Sequence, residues 1–487
     1  MMTYQRLVLH IKIFWRDKMK SGSINLAEVR NAYQLRIKPN GYLIEGKRTM
    51  LRLEEKKAFQ GVLGDYVDEV YRPGIFKRIF INNSQFGLPY ITAQGMMTSN
   101  PLDTAKVLSI KMTDNIEPMI LKNRSILVSC AGTIGNVRLI DKNMSDCVGS
   151  QDIIRVIPKS DFGFIYAYLS CPTIHSYLQS QLYGSVVPRI ELELVRSIPM
   201  PSFMDKVKQH IHKEVADSAI LREEAIELLE NAWGILKSKA GLKDLELSDY
   251  DSFGSHSSKR EVSCFTRKIQ DIGTTTINAF NHSERIRKAK TYIHCYTKPL
   301  KNILINSDTF STGSFPRIEV NPGHGIMLIN QSDIFDSIIK GKYISRRGVK
   351  VDNLVEYGEV LIAGVGTLGE NETFCRTIFA NEDLKGQLVS GEFIRMKTTE
   401  EVPSGYLFTW LNSDYGFRFL RNIQAGTKLC RPIPKLILEI PVPIIDRDSM
   451  IEIDKLVREA HTKRHQANQK ELKAISMVEQ EIEKWNN

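Results

Sequence analysis

Along the chain, short apolar runs broken by polar, glycine-bearing stretches fill about 200 residues and then yield to a long three-four spaced apolar stripe. The sequence then does both again. Ile126 to Asn136 reads ILVSCAGTIGN, and Val360 to Glu370 reads VLIAGVGTLGE: an unbroken apolar run, as expected of a buried strand, ending each time in Gly-Thr-aliphatic-Gly. Further pairs follow in the same order. Ser150-Gln151-Asp152-Ile153-Ile154-Arg155 answers Ser390-Gly391-Glu392-Phe393-Ile394-Arg395, Gly163-Phe164-Ile165 answers Gly405-Tyr406-Leu407, and Gly184-Ser185 answers Gly426-Thr427. Ile198-Pro199-Met200-Pro201 then answers Ile440-Pro441-Val442-Pro443. A period of roughly 240 residues is far beyond that of stacked repeats, so the pattern is a duplicated domain.

After each Ile-Pro-x-Pro the periodicity becomes helical. Two prolines in three residues should stop a strand, and Ser202-x-x-Asp205 and Ser449-x-x-Glu452 read as helix starts, the second as a capping box. The first stripe runs Met204, Val207, Ile211 and Val215, then Leu221, Ala225, Leu228, Ala232 and Ile235, with Gly241 as its stop. The second runs Ile453, Val457, Ala460 and Ala467, is broken at Arg464, and continues through Ile475, Val478, Ile482 and Trp485. Each predicts a helix of about 38 residues and about 57 Å. So long and narrow a stripe needs a partner, and the other helix of the same chain is the nearest.

Composition narrows the partners. The 487 residues allow two to four domains, and 42% hydrophobic with 8% aromatic residues is the make-up of a folded protein. The net charge of +10 favours an anionic partner, with nucleic acid first. Residues 1 to 202 hold 26 Lys and Arg against 17 Asp and Glu, while the helical stretches are close to neutral, so a nucleic-acid contact belongs to the globular parts. Seven scattered cysteines without a C-x-x-C indicate neither a disulfide framework nor a zinc knuckle and fit a reducing cytosol. The run Leu7 to Trp15 is interrupted by His10 and Lys12 and is too short for a membrane span; it reads as a strand or an ill-placed start, and no membrane partner is expected.

Catalytic chemistry finds little support. The glycine turns lack the lysine of a phosphate-binding loop. Asn100-Pro101-Leu102 is the nearest approach to an amino-methyltransferase segment, and Glu54-Glu55-Lys56, the nearest to a nuclease pattern, looks like solvated helix. His461 and His465 lie four apart on a helix but lack a third ligand, so they read as exposed or interface histidines; His210 and His212 point to different sides. No catalytic, metal or cofactor-binding residue is assigned.

Ordered duplication, a G-T-[IL]-G turn after an apolar strand, a later glycine turn, an I-P-x-P exit and a long helix: from about residue 50 to 487 the chain resembles the specificity subunit of type I restriction-modification enzymes. The first copy departs from that family's Gly-acid-aliphatic strand entry, having Arg124-Ser125-Ile126 where the second has Gly358-Glu359-Val360. The resemblance implies a mixed α/β (α+β) fold of two tandem similar globular domains, each followed by a long helix, the two helices pairing as an antiparallel coiled coil. Its boundaries are residues 1–202 for the first target recognition domain, with 1–50 outside the resemblance, 203–241 for the first spacer helix, 242–446 for the second recognition domain and 447–487 for the second helix. It implies a non-catalytic cytoplasmic subunit of a DNA-binding restriction system that recognises a bipartite, asymmetric site in double-stranded DNA. It also implies docking of methyltransferase subunits, two in number, on the helices around Ile211, Leu221, Leu228, Ile453, Val457 and Ile475, and of restriction nuclease-translocase subunits where the complex cuts. S-adenosylmethionine would sit on those methyltransferases and not on this chain.

Base reading in the major groove uses Arg or Lys on guanine and Asn or Gln on adenine. The first domain offers Arg72, Lys77 and Arg78 with Asn83 and Gln85; the second offers Lys342, Tyr343, Arg346, Arg347 and Lys350. Arg189 and Arg431, equivalent after their glycine turns, fit a DNA contact or a structural salt bridge. Thr133 and Thr367 sit in turns that either close a sheet or also meet a DNA phosphate. A coiled-coil scaffold or regulator in a defence complex, whose globular domains bind protein or non-specific DNA, is the rival from another class.

Overall fold

The computed structural model describes residues 8–15, 18–25, 29–30, 40–184, 188–246, 264–272 and 276–486. Ser185 of the Gly184-Ser185 pair lies outside them. By packing, the chain forms two compact units: Met1–Met97, Val107–Ile220 and Gln469–Asn487, and Thr98–Lys106 with Leu221–Asn468. Each long helix contributes to both units, whereas the sequence boundaries assign each helix whole.

In the first unit β1 (Val8–Trp15) and β2 (Lys18–Asn25) form an antiparallel hairpin, so the Leu7–Trp15 run is a strand over its described part. Helix α1 (Glu45–Glu55) follows, with Glu54 and Glu55 exposed. The strands are β3 (Phe59–Val62), β4 (Val67–Tyr71), β5 (Phe80–Ile81), β6 (Gly87–Ile91), β7 (Lys106–Ser109), β8 (Ile126–Ser129), β9 (Val137–Leu139), β10 (Val148–Gly149), β11 (Ile153–Pro158) and β12 (Pro199–Pro201). They make two four-stranded sheets, ordered β10-β6-β7-β5 and β4-β11-β8-β9, and the pair β12-β3. Between β11 and β12 lie helices α2 (Phe162–Ser170) and α3 (Pro172–Ser180). The long helix α4 (Asp205–Lys239) follows β12.

The second unit has β13 (Thr297–Pro299), β14 (Ile326–Ile329), β15 (Lys342–Ile344), β16 (Val360–Ala363), β17 (Thr377–Phe379), β18 (Leu388–Val389) and β19 (Phe393–Met396). Then come α5 (Ser404–Asn412), α6 (Asp414–Asn422), β20 (Gln424–Ala425), β21 (Arg431–Pro432), β22 (Pro441–Pro443) and the long helix α7 (Arg447–Asn486). Its pairings follow those of the first unit. β16 lies between β17 and β19 as β8 lies between β9 and β11; β14 runs parallel to β18 as β6 does to β10; β22 joins β13 as β12 joins β3. The Pro-x-Pro segments are therefore short strands, not strand stops. Proline carbonyls still accept, and a two-stranded edge needs no N–H from the rings.

β8 and β16 are buried along their whole length, as unbroken apolar runs demand. In the first unit Ile126 and Val128 of β8 share a core with α2, α3 and residues of both long helices: Ile211, Val215 and Ala219 from α4, Ala474, Val478 and Ile482 from α7. Phe203 packs 5.0 Å from Trp485, Lys473 Nζ donates to Glu214 at 2.6 Å, and Lys470 donates to Asp217 at 3.0 Å. Residue numbers rise along α4 as they fall along α7, so the segments run antiparallel here. The second unit repeats that sense: Arg222 Nη2 donates to Asn468 at 2.9 Å and Lys463 Nζ to Glu224 at 2.9 Å.

Gly163 and Gly405 are where the shorter helices touch the long ones. A Cβ on Gly163 would stand 2.6 Å from the His212 carbonyl oxygen, and one on Gly405 2.7 Å from Asp454 Oδ1 and 2.9 Å from its Cα. Only glycine permits that approach.

Several helical details differ from expectation. The second helix is capped by Asp446, whose carboxylate accepts the Ser449 N–H at 2.9 Å, so Ser449 is the third helical residue and not a cap. The Ser202 hydroxyl is spent on the Ala58 carbonyl and caps nothing. Met204 is 72% exposed, and Leu236 rather than Ile235 is buried, because a straight 3.6-residue helix drifts off a seam read at 3.5. Gly241 is the stop: at φ +63° it lets the Leu242 N–H reach the Lys237 carbonyl at 2.9 Å. His461 is buried, not exposed, between the rings of Phe379 and Phe408, while His465 Nδ1 meets Asp383 at 2.5 Å.

Candidate nucleic-acid interface

In the first unit the strand β8 ends at Ser129, whose hydroxyl donates to the Thr133 carbonyl and whose own carbonyl accepts the Gly135 N–H at 2.9 Å. Gly132 and Gly135 adopt φ of +73° and +82°, which a side chain would resist. From α3, Gln179 Nε2 donates to the Ile134 carbonyl at 2.6 Å and His175 Nδ1 lies 3.0 Å from the Gly135 carbonyl oxygen. Thr133 is left exposed at the tip. Ala131 bridges to Arg189, and the Ile190 N–H reaches the Cys130 carbonyl at 3.1 Å. Arg72 Nη1 points at the Cys130 sulfur at 3.9 Å. Burial pushes the Cys130 thiol up, and the Arg72 and Arg189 guanidinium groups pull against it. Arg189 and Arg72 thus sit at the base of the turn that carries Thr133, through Ala131 and Cys130, with Glu191 and Asp152 as the acidic groups beside them.

The second unit builds the corresponding place differently. Gly366 and Cys430 exchange backbone hydrogen bonds of 3.2 and 2.7 Å, an antiparallel bridge next to exposed Thr367 on one segment and exposed Arg431 on the other. Neither of these glycines has a positive φ; a Cβ on Gly366 would lie a tight 3.0 Å from Phe374 Cβ, and one on Gly369 would meet the side chain of exposed Glu372 at 2.9 Å. Arg421 of α6, fully buried, donates to the carbonyls of Gly369, Glu372 and Phe374, and burial lowers it to about 10. Arg418 grips Glu370 with two bonds of 3.0 Å. The braces His175, Gln179, Arg418 and Arg421 are not among the sequence candidates; their signal is polar side chains three to four apart on the helix that follows the braced turn and precedes Gly184 or Gly426.

The remaining candidates belong to other sheets. Lys77 and Arg78 are exposed in the loop before β5; Asn83 and Gln85 form the turn after it. Asn83 accepts the Gln85 N–H on its carboxamide oxygen at 3.0 Å, which leaves one lone pair of that oxygen and the amide N–H groups for a base edge. On the β15 side, Lys342 pairs with Glu319 and Tyr343 is half-buried in its ladder with Met327. Arg346, Arg347 and Lys350 are exposed. Among the described residues, Lys77, Arg78, Arg189, Arg346, Arg347, Lys350 and Arg431 enter no ion pair.

Of the helix residues, Ile211, Ile453 and Val457 are fully buried in intrachain cores and Leu221, Leu228 and Ile475 are half-buried. The first three side chains are spent on their own core and cannot touch a partner. Exposed apolar groups on the same helices are Ile220, Ile451 and Leu472. Among the described residues no three His, Cys, Asp or Glu side chains converge as a metal site, and no helix is long and apolar enough to cross a membrane.

Residues 72–212 match the family model described as the type I restriction modification DNA specificity domain. The match lies within the first repeat and the start of α4. It opens at Arg72, takes in Lys77, Arg78, Asn83, Gln85, Thr133 and Arg189, and closes within α4 at His212, so every first-repeat candidate falls inside it. No curated protein matches the chain. Among solved structures, the type I restriction-modification S subunit from M. genitalium is 13% identical, with 87% of this chain and 94% of that one covered at a TM-score of 0.35. The HsdS subunit from Thermoanaerobacter tengcongensis is 9% identical, with 87% and 96% covered at 0.26.

Proposed function

We propose that the chain is the non-catalytic DNA-specificity subunit of a type I restriction-modification or related methyltransferase complex. Each repeat reads one half of a bipartite, asymmetric site, and the paired long helices set the distance between the halves and dock two methyltransferase subunits. Nuclease-translocase subunits join where the complex cuts, and S-adenosylmethionine is bound by the methyltransferases. One observation carries this reading: the specificity-domain segment has a second copy of its strand pairings, each copy bringing a Gly-Thr turn against an arginine-bearing segment. The helix contacts of each unit support an antiparallel coiled coil. Different loops in the two copies fit unlike half-sites.

The reading predicts that the purified chain, presented with randomised duplex, enriches two short motifs separated by unread base pairs and co-purifies with a DNA methyltransferase. Salt-sensitive binding with no motif would instead support the scaffold reading. Metal-dependent cleavage by the chain alone would make it an enzyme.

A further inference from the structure

Between β4 and β5 the chain makes a short excursion, Arg72 to Ile79, whose two ends are fastened. Pro73 is buried next to Arg72, which is held at the Cys130 sulfur. The rings of Phe76 and Phe80 pack edge-on against buried Tyr90, at 6.4 and 5.4 Å. Fastening Phe76 inward turns its neighbours outward: Ile75 is 91% exposed, and Lys77 and Arg78 are exposed without an ion pair among the described residues. An exposed aliphatic side chain alone is ordinary. This one is presented by a pinned loop, beside two unneutralised cations and three residues from the Arg72–Thr133–Arg189 turn.

Such a surface complements a polyanion that also offers an apolar group. Duplex DNA offers one in its major groove, the thymine 5-methyl. Resting on the DNA reading proposed above, we propose that Ile75 is a specificity-determining residue that contacts a thymine methyl in the half-site read by the first repeat, while Lys77 and Arg78 hold the flanking phosphates. An acidic protein patch would satisfy the cations but supplies no methyl at a fixed base position.

The test uses the full chain and the duplex it selects from random sequence. The first repeat's half-site is the one flanked by the phosphates whose ethylation interferes with binding of the wild type but no longer with that of Lys77→Gln/Arg78→Gln. Thymines in it are replaced one at a time by uracil, which removes only the methyl. At one position the wild type should lose about fourfold in affinity, the worth of one buried methyl. Ile75→Ala should bind the thymine duplex about as weakly as the wild type binds the uracil one and should not distinguish the two, with Ile75→Val intermediate and all thermal midpoints unchanged. Uracil without effect at every position, or an Ile75→Ala chain that still discriminates, would overturn the inference and leave the DNA reading standing. A wild-type chain that selects no sequence would overturn both.

Discussion

Arg395 and Glu359 face each other fork to fork, with Nε and Nη2 donating at 2.8 Å to the two carboxylate oxygens and neither side chain more than 1% exposed. The remaining guanidinium donors reach the carbonyls of Asn353 and Leu354 at 2.9 and 2.7 Å. The first copy keeps the arginine without the acid. Ser125 stands where Glu359 does, and Arg155 donates from its two Nη atoms to the carbonyls of Gly149, Ser150 and Ile153 at 2.6 to 2.8 Å, leaving its buried Nε without a hydrogen-bond partner. Burial lowers Arg155 to about 10.

Removing one member of such a pair strands the other. Glu359→Ala should destabilise the second unit by about 3–5 kcal/mol, read in a denaturant titration, with the m-value unchanged. An undiminished midpoint would mean that carbonyls alone satisfy Arg395.

Where the helices touch, volume decides. Gly405→Ala and Gly163→Ala should each cost about 1–3 kcal/mol, since the added methyl meets backbone that cannot yield without moving a long helix. Gly234→Ala, whose new Cβ would meet nothing within 4 Å, is the control and should not destabilise.

Burial, with the nearby Arg464 guanidinium, holds the His461 imidazole well below its usual 6.5. A depressed folded value means that only the unfolded chain takes up the proton as pH falls through that range. Stability should therefore be full above about pH 6.5 and decline below it. Unfolding midpoints from pH 7.5 to 5 should show this slope in the wild type and a shallower one in His461→Leu.

Charge at the interface should be read in salt. Lys77→Gln/Arg78→Gln should weaken binding and reduce the slope of log affinity against log salt by about 2, with the thermal midpoint unchanged. Lys342→Gln, already neutralised by Glu319, should change the slope less than Arg346→Gln.

How much of this is legible in the sequence follows from the kind of interaction. Periodicity shows strands β8 and β16, the order of the repeat and both long helices, because those depend on neighbours in the chain. The glycine at 241 stops its helix as expected, since a left-handed cap is a local demand. The Asp446 cap is misread as Ser449 because two acceptors in the same turn compete, and only geometry selects between them. Met204 and Leu236 differ from the expected seam because a one-residue drift is invisible to a spacing rule. The Arg395–Glu359 pair and the Arg421 brace join residues 36 and about 50 positions apart, and nothing local marks them. Thr133 with Arg189 and Thr367 with Arg431 are the reverse: equivalent positions across the repeat single them out, and folding bridges the segments that carry them.

The unlike partners of Arg155 and Arg395 also restrict how the two halves can be recombined. A chimera whose crossover falls between positions 125 and 155 would join serine from one parent to a guanidinium seated for carboxylate, or the converse. Productive exchange must carry strand entry and arginine as one inherited block, so viable hybrids should have their junctions outside that interval.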